Sequence, residues 1–417
     1  MLRKLLGDKT VDRISDGFRG RPDVDLSQYA ASRGLDFRGQ KGLAGYFGAA
    51  AFATELMWNV MRGELPGGRN GALMHNVAII DADNASGQFY GKRTQKLGGI
   101  KATDFIPLSD LFGPNVMYFK LPETLIAIRL PGSVAPLVSF HVARRRERAR
   151  GSKSTDFLVE RELGHDDWRL VRNKRTDDDL LEQIVRGPLG EVLGREQELG
   201  FTIELLFGQL LIRRQDYVSD PEELDDFCRQ ASALADGIDR ICPPGPIPSD
   251  FDAPLPEPDW YAEIAAKPED RYIEATSGAW LEPMVRYALD RGLRVEDPRA
   301  FHAAFSALPI PGAAFGVAAG PGIRVAAACE RRIEDIEMLK KEWPDAGMTV
   351  GCNMVLLPTT AADTHEPDGV MAEGGRYAVR DGVLLFSQAR QMWQFHAEAM
   401  DELIQTARAV EAAASAG

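Results

Sequence analysis

The chain repeats Gly208-Gln209-Leu210-Leu211-Ile212 as Gly382-Val383-Leu384-Leu385-Phe386, and each stretch has the form of a glycine turn followed by an apolar strand. A similar helix follows each stretch after a short break. The first helix contains Leu224-Asp225-Asp226-Phe227 with Ala231, Ala233 and Leu234, and the second contains Met400-Asp401-Glu402-Leu403 with Ala407, Ala409 and Val410. A strand and a helix that repeat in this way predict two copies of one domain, each closed by a C-terminal helix.

Further apolar runs lie between glycines and prolines, and they lack the strand–helix alternation of a doubly wound fold. The predicted strands cover residues 72–80, 116–119, 125–130, 137–142, 201–205 and 209–213 in the first half, and 314–319, 323–329, 348–357 and 377–386 in the second. Helices are predicted at 221–238, 280–291, 298–307 and 393–414, and at the alanine-rich stretch 44–57. The pattern predicts an α+β protein of two related domains, each an antiparallel sheet closed by a C-terminal amphipathic helix.

A proline-rich segment marks the boundary between the halves. Eight of the 25 prolines fall between Cys242 and Asp270, a density that blocks helices and central strands and favours an extended spacer. A chain of 417 residues is also longer than one typical core. We therefore divide it into an N-terminal arm at 1–40, a first α+β domain at 41–241, a Pro-rich linker at 242–270 and a second α+β domain at 271–417.

The composition excludes several classes of protein. The net charge of −13 repels phosphate backbones, so we expect no nucleic-acid binding. The longest apolar stretch, Ala44 to Met61, contains Glu55 and Asn59 and falls short of a bilayer span, so we expect no transmembrane segment. The four cysteines lack C-x-x-C spacing, which favours buried, inert thiols and a cytoplasmic location.

Catalytic and metal-binding motifs offer only weak candidates. The six histidines have neither H-x-x-x-H nor H-E-x-x-H spacing. The stretch Asp81 to Gly87 begins like a calcium loop but has Lys92 where the loop requires glutamate, so we expect no metal and no cofactor. His165 with Asp166 has the form of an oriented general base, and these two residues and His141 are the candidates for a catalytic site. An acid-rich turn explains His165 and Asp166 without catalysis.

One strongly basic run stands out in this acidic chain. It consists of Arg144, Arg145, Arg146, Arg148 and Arg150, interrupted by Glu147. Such a run suits a partner protein's acidic segment, a phosphorylated ligand or an anionic lipid surface. A solvated loop between two strands accounts for it as well, and the short length with Glu147 argues against a strong membrane anchor.

The first half resembles a known group of sequences. The stretches Tyr29-Ala30-Ala31-Ser32-Arg33-Gly34-Leu35 and Asn59-Val60-Met61-Arg62-Gly63-Glu64-Leu65-Pro66-Gly67-Gly68, with residues 201–238, are similar to uncharacterised proteins of high-GC actinobacteria over roughly residues 29–240. The resemblance implies an actinobacterial source and a soluble α+β architecture, and that family has no established activity to carry across. The layout of a sheet capped by a helix is also similar to pleckstrin-homology-like modules, a likeness that carries no function.

Three functional hypotheses follow from these observations. The first is a non-catalytic binding or scaffold protein with tandem related domains, which binds a protein partner or an anionic ligand through the basic run. The second is a hydrolase-type enzyme with its site in the cleft between the domains. The third is a structural or assembly subunit that uses apolar helix faces between chains.

Overall fold

The structure is a computed structural model, and two antiparallel sheets dominate it. It describes residues 22–44, 53–81, 105–107, 117–130, 138, 140–144, 158–161, 168–173, 176–194, 202–206, 208–241, 245–258, 261, 278–331, 349–366, 369–372, 374–390 and 397–416.

The first sheet has ten strands, and every pairing in it is antiparallel. Its strands are β1 Asp36–Ala44, β2 Ala53–Glu64, β3 Asn70–Asp81, β4 Phe105–Pro107, β5 Met117–Arg129, β6 Phe140–Arg144, β7 Leu158–Arg161, β8 Trp168–Asn173, β9 Thr202–Leu206 and β10 Gln209–Gln215. The described helices of this half are α1 Ser27–Ser32, α2 Asp178–Ile184, α3 Gly190–Gly194 and α4 Pro221–Ile241. The segment Val185–Leu189 between α2 and α3 is kinked at Gly187, which has non-helical backbone angles.

The second sheet has seven strands, also paired antiparallel throughout. Its strands are β11 Arg294–Glu296, β12 Ala313–Gly320, β13 Ile323–Arg331, β14 Thr349–Pro358, β15 Val370–Ala372, β16 Gly375–Arg380 and β17 Val383–Arg390. The described helices of this half are α5 Gly278–Asp290, α6 Pro298–Ala304 and α7 Ala397–Ala416. The predicted α+β class, with antiparallel sheets each followed by a C-terminal helix, is confirmed.

The two sheets have the same strand order. The first runs β1-β2-β3-β5-β10-β9-β6-β8-β7, with β4 paired to β5, and the second runs β11-β12-β13-β14-β17-β16-β15. Seven strands of the first sheet, from β1 to β6 in this order, therefore correspond one to one with the whole second sheet. We call these seven positions the seven-strand frame. Strands β4, β7 and β8 lie outside it.

The registers agree as well as the order. The paired residues Leu211, Ala127, Ala72, Arg62 and Asp36 cross the first sheet from β10 to β1. The paired residues Leu385, Leu356, Arg324, Ala319 and Arg294 cross the second sheet from β17 to β11. Each row starts three residues after the repeated glycine of its half, so the sequence repeat and the strand pairing give the same alignment.

Each C-terminal helix packs its apolar face on one face of its sheet. Asp220 precedes α4 and accepts hydrogen bonds from the amides of Glu222 and Glu223, which satisfies two amides of its first turn. The buried side chains of α4 recur along the helix at intervals that place them on one face. They join the same core as Ile126 and Ile128 of β5 and Leu210 and Ile212 of β10. In the second half, Met400 and Leu403 of α7 share a core with Leu384 and Phe386 of β17.

Two sequence predictions were wrong in detail. The described part of the predicted helix 44–57 is strand, because Ala44 ends β1 and residues 53–57 belong to β2. An apolar run of this length fits a buried strand as well as a helix, so its periodicity does not separate the two. The separate strands predicted at 116–119 and 125–130 are one strand, β5, which continues through Pro122 paired to Val77.

Residues 245–258 of the predicted linker pack on the second sheet, and we call them the strap. Ile247, Phe251 and Leu255, spaced four apart, lie against the apolar face that α7 leaves uncovered, together with Phe301 and Phe305. The strap has no helix or strand, as its proline content predicts. The domain boundaries themselves stay a prediction, and within the predicted arm the described residues from 22 onward form α1 and the beginning of β1.

Candidate functional site

A Tyr–Arg–Asp cluster joins α1 and α4 of the first half. The Tyr29 hydroxyl donates to Asp225 Oδ1 at 2.9 Å, and Arg33 Nε donates to the same oxygen at 3.0 Å. Arg33 Nη2 donates to the other carboxylate oxygen, which makes the ion pair bidentate. These hydrogen bonds, above all those from Arg33, hold the pKa of Asp225 below its usual value.

The second half repeats this cluster. The Tyr287 hydroxyl donates to Asp401 Oδ1 at 2.9 Å, Arg291 Nε donates to the same oxygen at 2.8 Å, and Arg291 Nη2 donates to Oδ2. The pKa of Asp401 is lowered, again chiefly by the arginine's hydrogen bonds. We call each cluster a latch, because it ties the helix before the sheet to the helix after it.

The sequence contains a signal for the latches that our prediction did not use. Tyr29-Ala30-x-x-Arg33-Gly34-Leu35 recurs as Tyr287-Ala288-x-x-Arg291-Gly292-Leu293. In both copies the glycine has a left-handed backbone, with φ of +67° and +63°, and the following leucine amide bonds back to the alanine carbonyl. The repeated glycine ends the helix and turns the chain into the first strand. Both aspartates occupy matching positions in the repeated C-terminal helices.

A buried histidine in the first half has a structural environment. His75 Nε2 lies 2.8 Å from the Val218 carbonyl oxygen, and Nδ1 lies 3.1 Å from Asn59 Nδ2. The ring therefore donates from Nε2 and accepts at Nδ1, which is the neutral tautomer. Burial lowers the pKa of His75, in agreement with a neutral ring. The histidine ties β2 and β3 to the chain that leads into α4.

A buried ion pair holds the strap in the second half. Arg324 Nε donates to Glu296 Oε2 at 2.9 Å, and both side chains are almost fully buried, at 2% and 0% exposure. The same guanidinium donates to the carbonyl oxygens of Phe251 and Ala253. Its central carbon lies 4.9 Å from the centre of the Phe251 ring. Two carbonyl groups and one aromatic ring of the strap thus take the place of water around the buried guanidinium of Arg324.

The first sheet carries a different charged group on its corresponding face. Arg213 lies 3.5 Å from Glu123 and 3.8 Å from Glu204, and all three side chains are buried. Asn76 donates to Glu123 at 3.2 Å. These residues alternate along their strands with the residues that face α4, so they lie on the opposite face of the sheet. Strand pairing places His141 of β6 directly opposite Glu204.

Most of the predicted site residues lie outside the described residues. His165, Asp166, Arg145, Arg146, Arg148 and Arg150 belong to this group, as do residues 82–92 of the calcium-like loop. Of the remaining candidates, His141 is in the middle of β6, and Arg144 ends the same strand, paired to Trp168 of β8. The grouping of the three catalytic candidates stays a prediction, because two of them lie outside the described residues.

The basic run lies in a part of the chain that only the first half contains. Strand β6 corresponds to β15 in the seven-strand frame, and β9 corresponds to β16. In the second half two residues separate these strands, whereas in the first half residues 145–201 separate them. We call residues 145–201 the insertion. It contains four of the five arginines of the basic run, and its described parts include β7, β8, α2 and α3.

Other sites considered from the sequence show structural surroundings. His302 of α6 is buried and accepts a hydrogen bond from the Ala314 amide at 2.9 Å, and burial lowers its pKa to about 4. Cys228 and Cys352 are buried, and burial raises the pKa of Cys228 to about 12. Within the described ranges, no three His, Cys, Asp or Glu side chains are grouped to hold a metal ion. None of the helices in those ranges is long and apolar enough to cross a bilayer.

The comparisons with known proteins give little further information. No family model matches the chain, and no curated protein matches it. Among solved structures, the mycobacterial trehalose monomycolate transport factor A, TtfA, is similar at 13% sequence identity and a TM-score of 0.32. The similarity covers 55% of this chain and 98% of that protein. At this level of likeness we transfer neither fold nor function from TtfA.

Proposed function

We propose that this chain is a non-catalytic binding or scaffold protein, made of two copies of one α+β domain, that binds an acidic segment of a partner protein through the basic run. A cytoplasmic location and kinship with the actinobacterial proteins named above belong to the same proposal. The observation that carries it is the position of the basic run. The run begins at the end of a frame strand and continues into an insertion that the second copy lacks.

Two related copies supply the logic of this proposal. The seven-strand frame, its register and its latches are the same in both halves, so they serve the fold rather than one specific activity. Function in related domains is usually carried by what is added to a common scaffold. The insertion is the largest such addition. It contains most of the basic run, whose positive charge is opposite to the net negative charge of the chain.

An acidic protein segment fits the basic run better than a membrane does. Arginine guanidinium groups form bidentate pairs with carboxylates as well as with phosphates. Glu147 interrupts the run, and the net charge of −13 opposes approach of the whole chain to an anionic bilayer. A short acidic peptide needs to approach only the run itself.

Charge reversal tests the proposal. Arg145, Arg146, Arg148 and Arg150 are changed together to Glu, and Arg144 is kept because it belongs to β6. Binding of a labelled octaglutamate peptide is measured by fluorescence anisotropy at increasing salt. We expect saturable, salt-sensitive binding to the wild type and at least tenfold weaker binding to the variant, with unchanged circular dichroism.

A matched control carries the same change of charge at other sites. Arg186, Arg229, Arg240 and Arg408 are exposed helix residues, and changing all four to Glu alters the net charge equally. This control should bind the peptide much more tightly than the basic-run variant does. Equal loss in both variants, or no loss in either, contradicts the proposal. Binding of the wild type to vesicles with anionic lipid, but not to the peptide, would make the basic run a lipid site instead.

A further inference from the structure

We infer that the outer edge of β15 is a strand-addition site for an extended segment of another protein. The matching edges of the two sheets differ in their outermost strands. In the first sheet, β6 is followed by β8, which pairs with it antiparallel from Phe140 to Arg144. In the second sheet β15 occupies the position of β6, and within the described residues no strand pairs with its outer edge.

The register defines which residues correspond. Val142 pairs with Ile203 of β9, and Val370 pairs with Tyr377 of β16, at the same level of the seven-strand frame. Leu170 of β8 lies opposite Val142 in the first sheet. An added strand in the second sheet would therefore place an apolar residue opposite Val370, just as β8 places Leu170 opposite Val142.

Burial shows what β8 and its neighbours supply. Val142 and Ile203 are fully buried in the first half, and Trp168 and Leu170 of β8 share their core. The corresponding residues Val370 and Tyr377 are only half-buried. The apolar core of the second half is therefore less well covered near β15. An added strand whose apolar side chains face this core would bury Val370 and Tyr377.

The edge itself has the properties of a docking strand. Met371 is 59% exposed, and it is one of three large apolar side chains that are exposed among the described residues. Strand β15 has only three residues, so symmetric pairing of two copies would bury far less than the roughly 1,000 Å² expected of a stable dimer. An extended peptide is not limited to the three residues of β15, so it is a better occupant of this edge than a second copy of the chain.

The chain's own β8 provides the probe. A labelled synthetic peptide of residues 167–174, Asp-Trp-Arg-Leu-Val-Arg-Asn-Lys, is titrated into the full chain, with a scrambled peptide of equal composition as the control for charge. We expect saturable binding of the native order only. Two further peptides carry N-methyl groups at alternate positions, one set on each edge of the strand. One set should lose at least tenfold in affinity and the other should bind normally, because an added strand uses one edge only.

Two protein variants locate the site. Met371→Pro disturbs the backbone of β15 and should weaken peptide binding at least tenfold, whereas Met371→Ala retains the backbone and should keep most of it. Circular dichroism and thermal unfolding check that both variants fold, and the N-methyl series tests strand pairing on the unaltered protein. Binding that survives Met371→Pro, or that tolerates both N-methyl sets, overturns the inference. A dimer that Met371→Pro dissociates, with no peptide binding, would make a second copy the occupant and overturn it too.

Discussion

The two latches are the clearest interactions at the scale of single residues. Each places a tyrosine hydroxyl and an arginine on one aspartate. Replacing Tyr29 or Tyr287 by Phe removes one hydrogen bond to a charged carboxylate and keeps the ring. We expect each change to lower the free energy of unfolding by about 1–2 kcal/mol, measured by urea denaturation. If the halves are independent, the losses add in the double variant. Wild-type stability of both single variants would contradict the structural role of the latches.

The latches also predict a pH dependence. Hydrogen bonds from Arg33 and Arg291 hold the pKa of Asp225 and of Asp401 below the ordinary value of 3.8. The folded state therefore binds these protons less tightly than the unfolded state does. The stabilisation is fully present above pH 3.8 and is lost as the pH falls through the lower folded-state values. We expect the stability difference between wild type and Asp225→Asn to shrink below pH 3.8, measured by denaturation from pH 6 to pH 2. A constant difference over that range would refute this account.

Some residue-scale features could be predicted from the sequence and others could not. The sequence repeat shows matching aspartates, Asp225 and Asp401, in α4 and α7. The arginines that pair with them lie 192 and 110 residues earlier in the chain. Spacing along the chain gives no distance in the fold, so the Tyr-x-x-x-Arg pairs had no visible partner. The same limit holds for His75, whose carbonyl acceptor is 143 residues away.

The proline content predicts that the strap is extended, but it does not predict that the strap packs on the second sheet beside a buried ion pair. Arg324→Met should cost about 3–5 kcal/mol, because it leaves Glu296 buried without its main counter-charge and two strap carbonyls without their donor. The measurement is urea denaturation, together with the rate of proteolysis within residues 245–258. We expect faster cleavage there as the strap loosens.

A neighbouring arginine provides the control for the strap. Arg294 donates to the same Glu296 at 2.7 Å but is 38% exposed. Arg294→Met should therefore cost about 1 kcal/mol or less. The double variant Arg324→Met with Glu296→Met should recover part of the loss of Arg324→Met, since no unpaired charge stays buried. Equal costs for Arg324→Met and Arg294→Met would show that burial does not set the strength of this pair.

Elements with clear end signals were predicted well. The helix predicted from residue 221 begins there, directly after Asp220, and the strands predicted at 314–319 and 323–329 form β12 and β13 around Gly320-Pro321-Gly322. The prediction failed in β2, where the side chains from Met57 to Met61 are buried on both faces of the strand. Alternation disappears in such strands, and proline density identifies an extended segment without showing what it packs against.

At the scale of the whole molecule, the strap decides where the second unit begins. We predict that a fragment of residues 243–417 unfolds cooperatively, whereas a fragment of residues 271–417 does not. The shorter fragment exposes the apolar face that contains Phe301, Phe305 and Met354. Thermal unfolding by circular dichroism and binding of a hydrophobic dye distinguish these outcomes.

Adding the missing piece back is the control for this prediction. A synthetic peptide of residues 243–262 should restore a cooperative transition to the shorter fragment, because the strap acts through its contacts and not through its covalent attachment. Cooperative unfolding of residues 271–417 alone would mean that the strap is dispensable. The predicted boundary at residue 271 would then be the better one.

The repeated ends of the two halves predicted the common frame, since two C-terminal elements with matching spacing require similar sheets to pack on. The differences between the halves could not be predicted in the same way. Whether an edge such as β15 gains a further strand depends on the chain between the frame strands, and residues 145–201 have no counterpart with which to compare them.

The latches have a consequence for synthesis on the ribosome. Translation proceeds from the N-terminus, so α1 leaves the exit tunnel long before Asp225 exists to receive it. Throughout that interval the nascent first sheet lacks the helix that covers one of its faces, and a molecular chaperone has an apolar surface to hold. The first half can close while the second is still being translated. The second half cannot close its latch until Asp401 has been translated, 110 residues after Arg291.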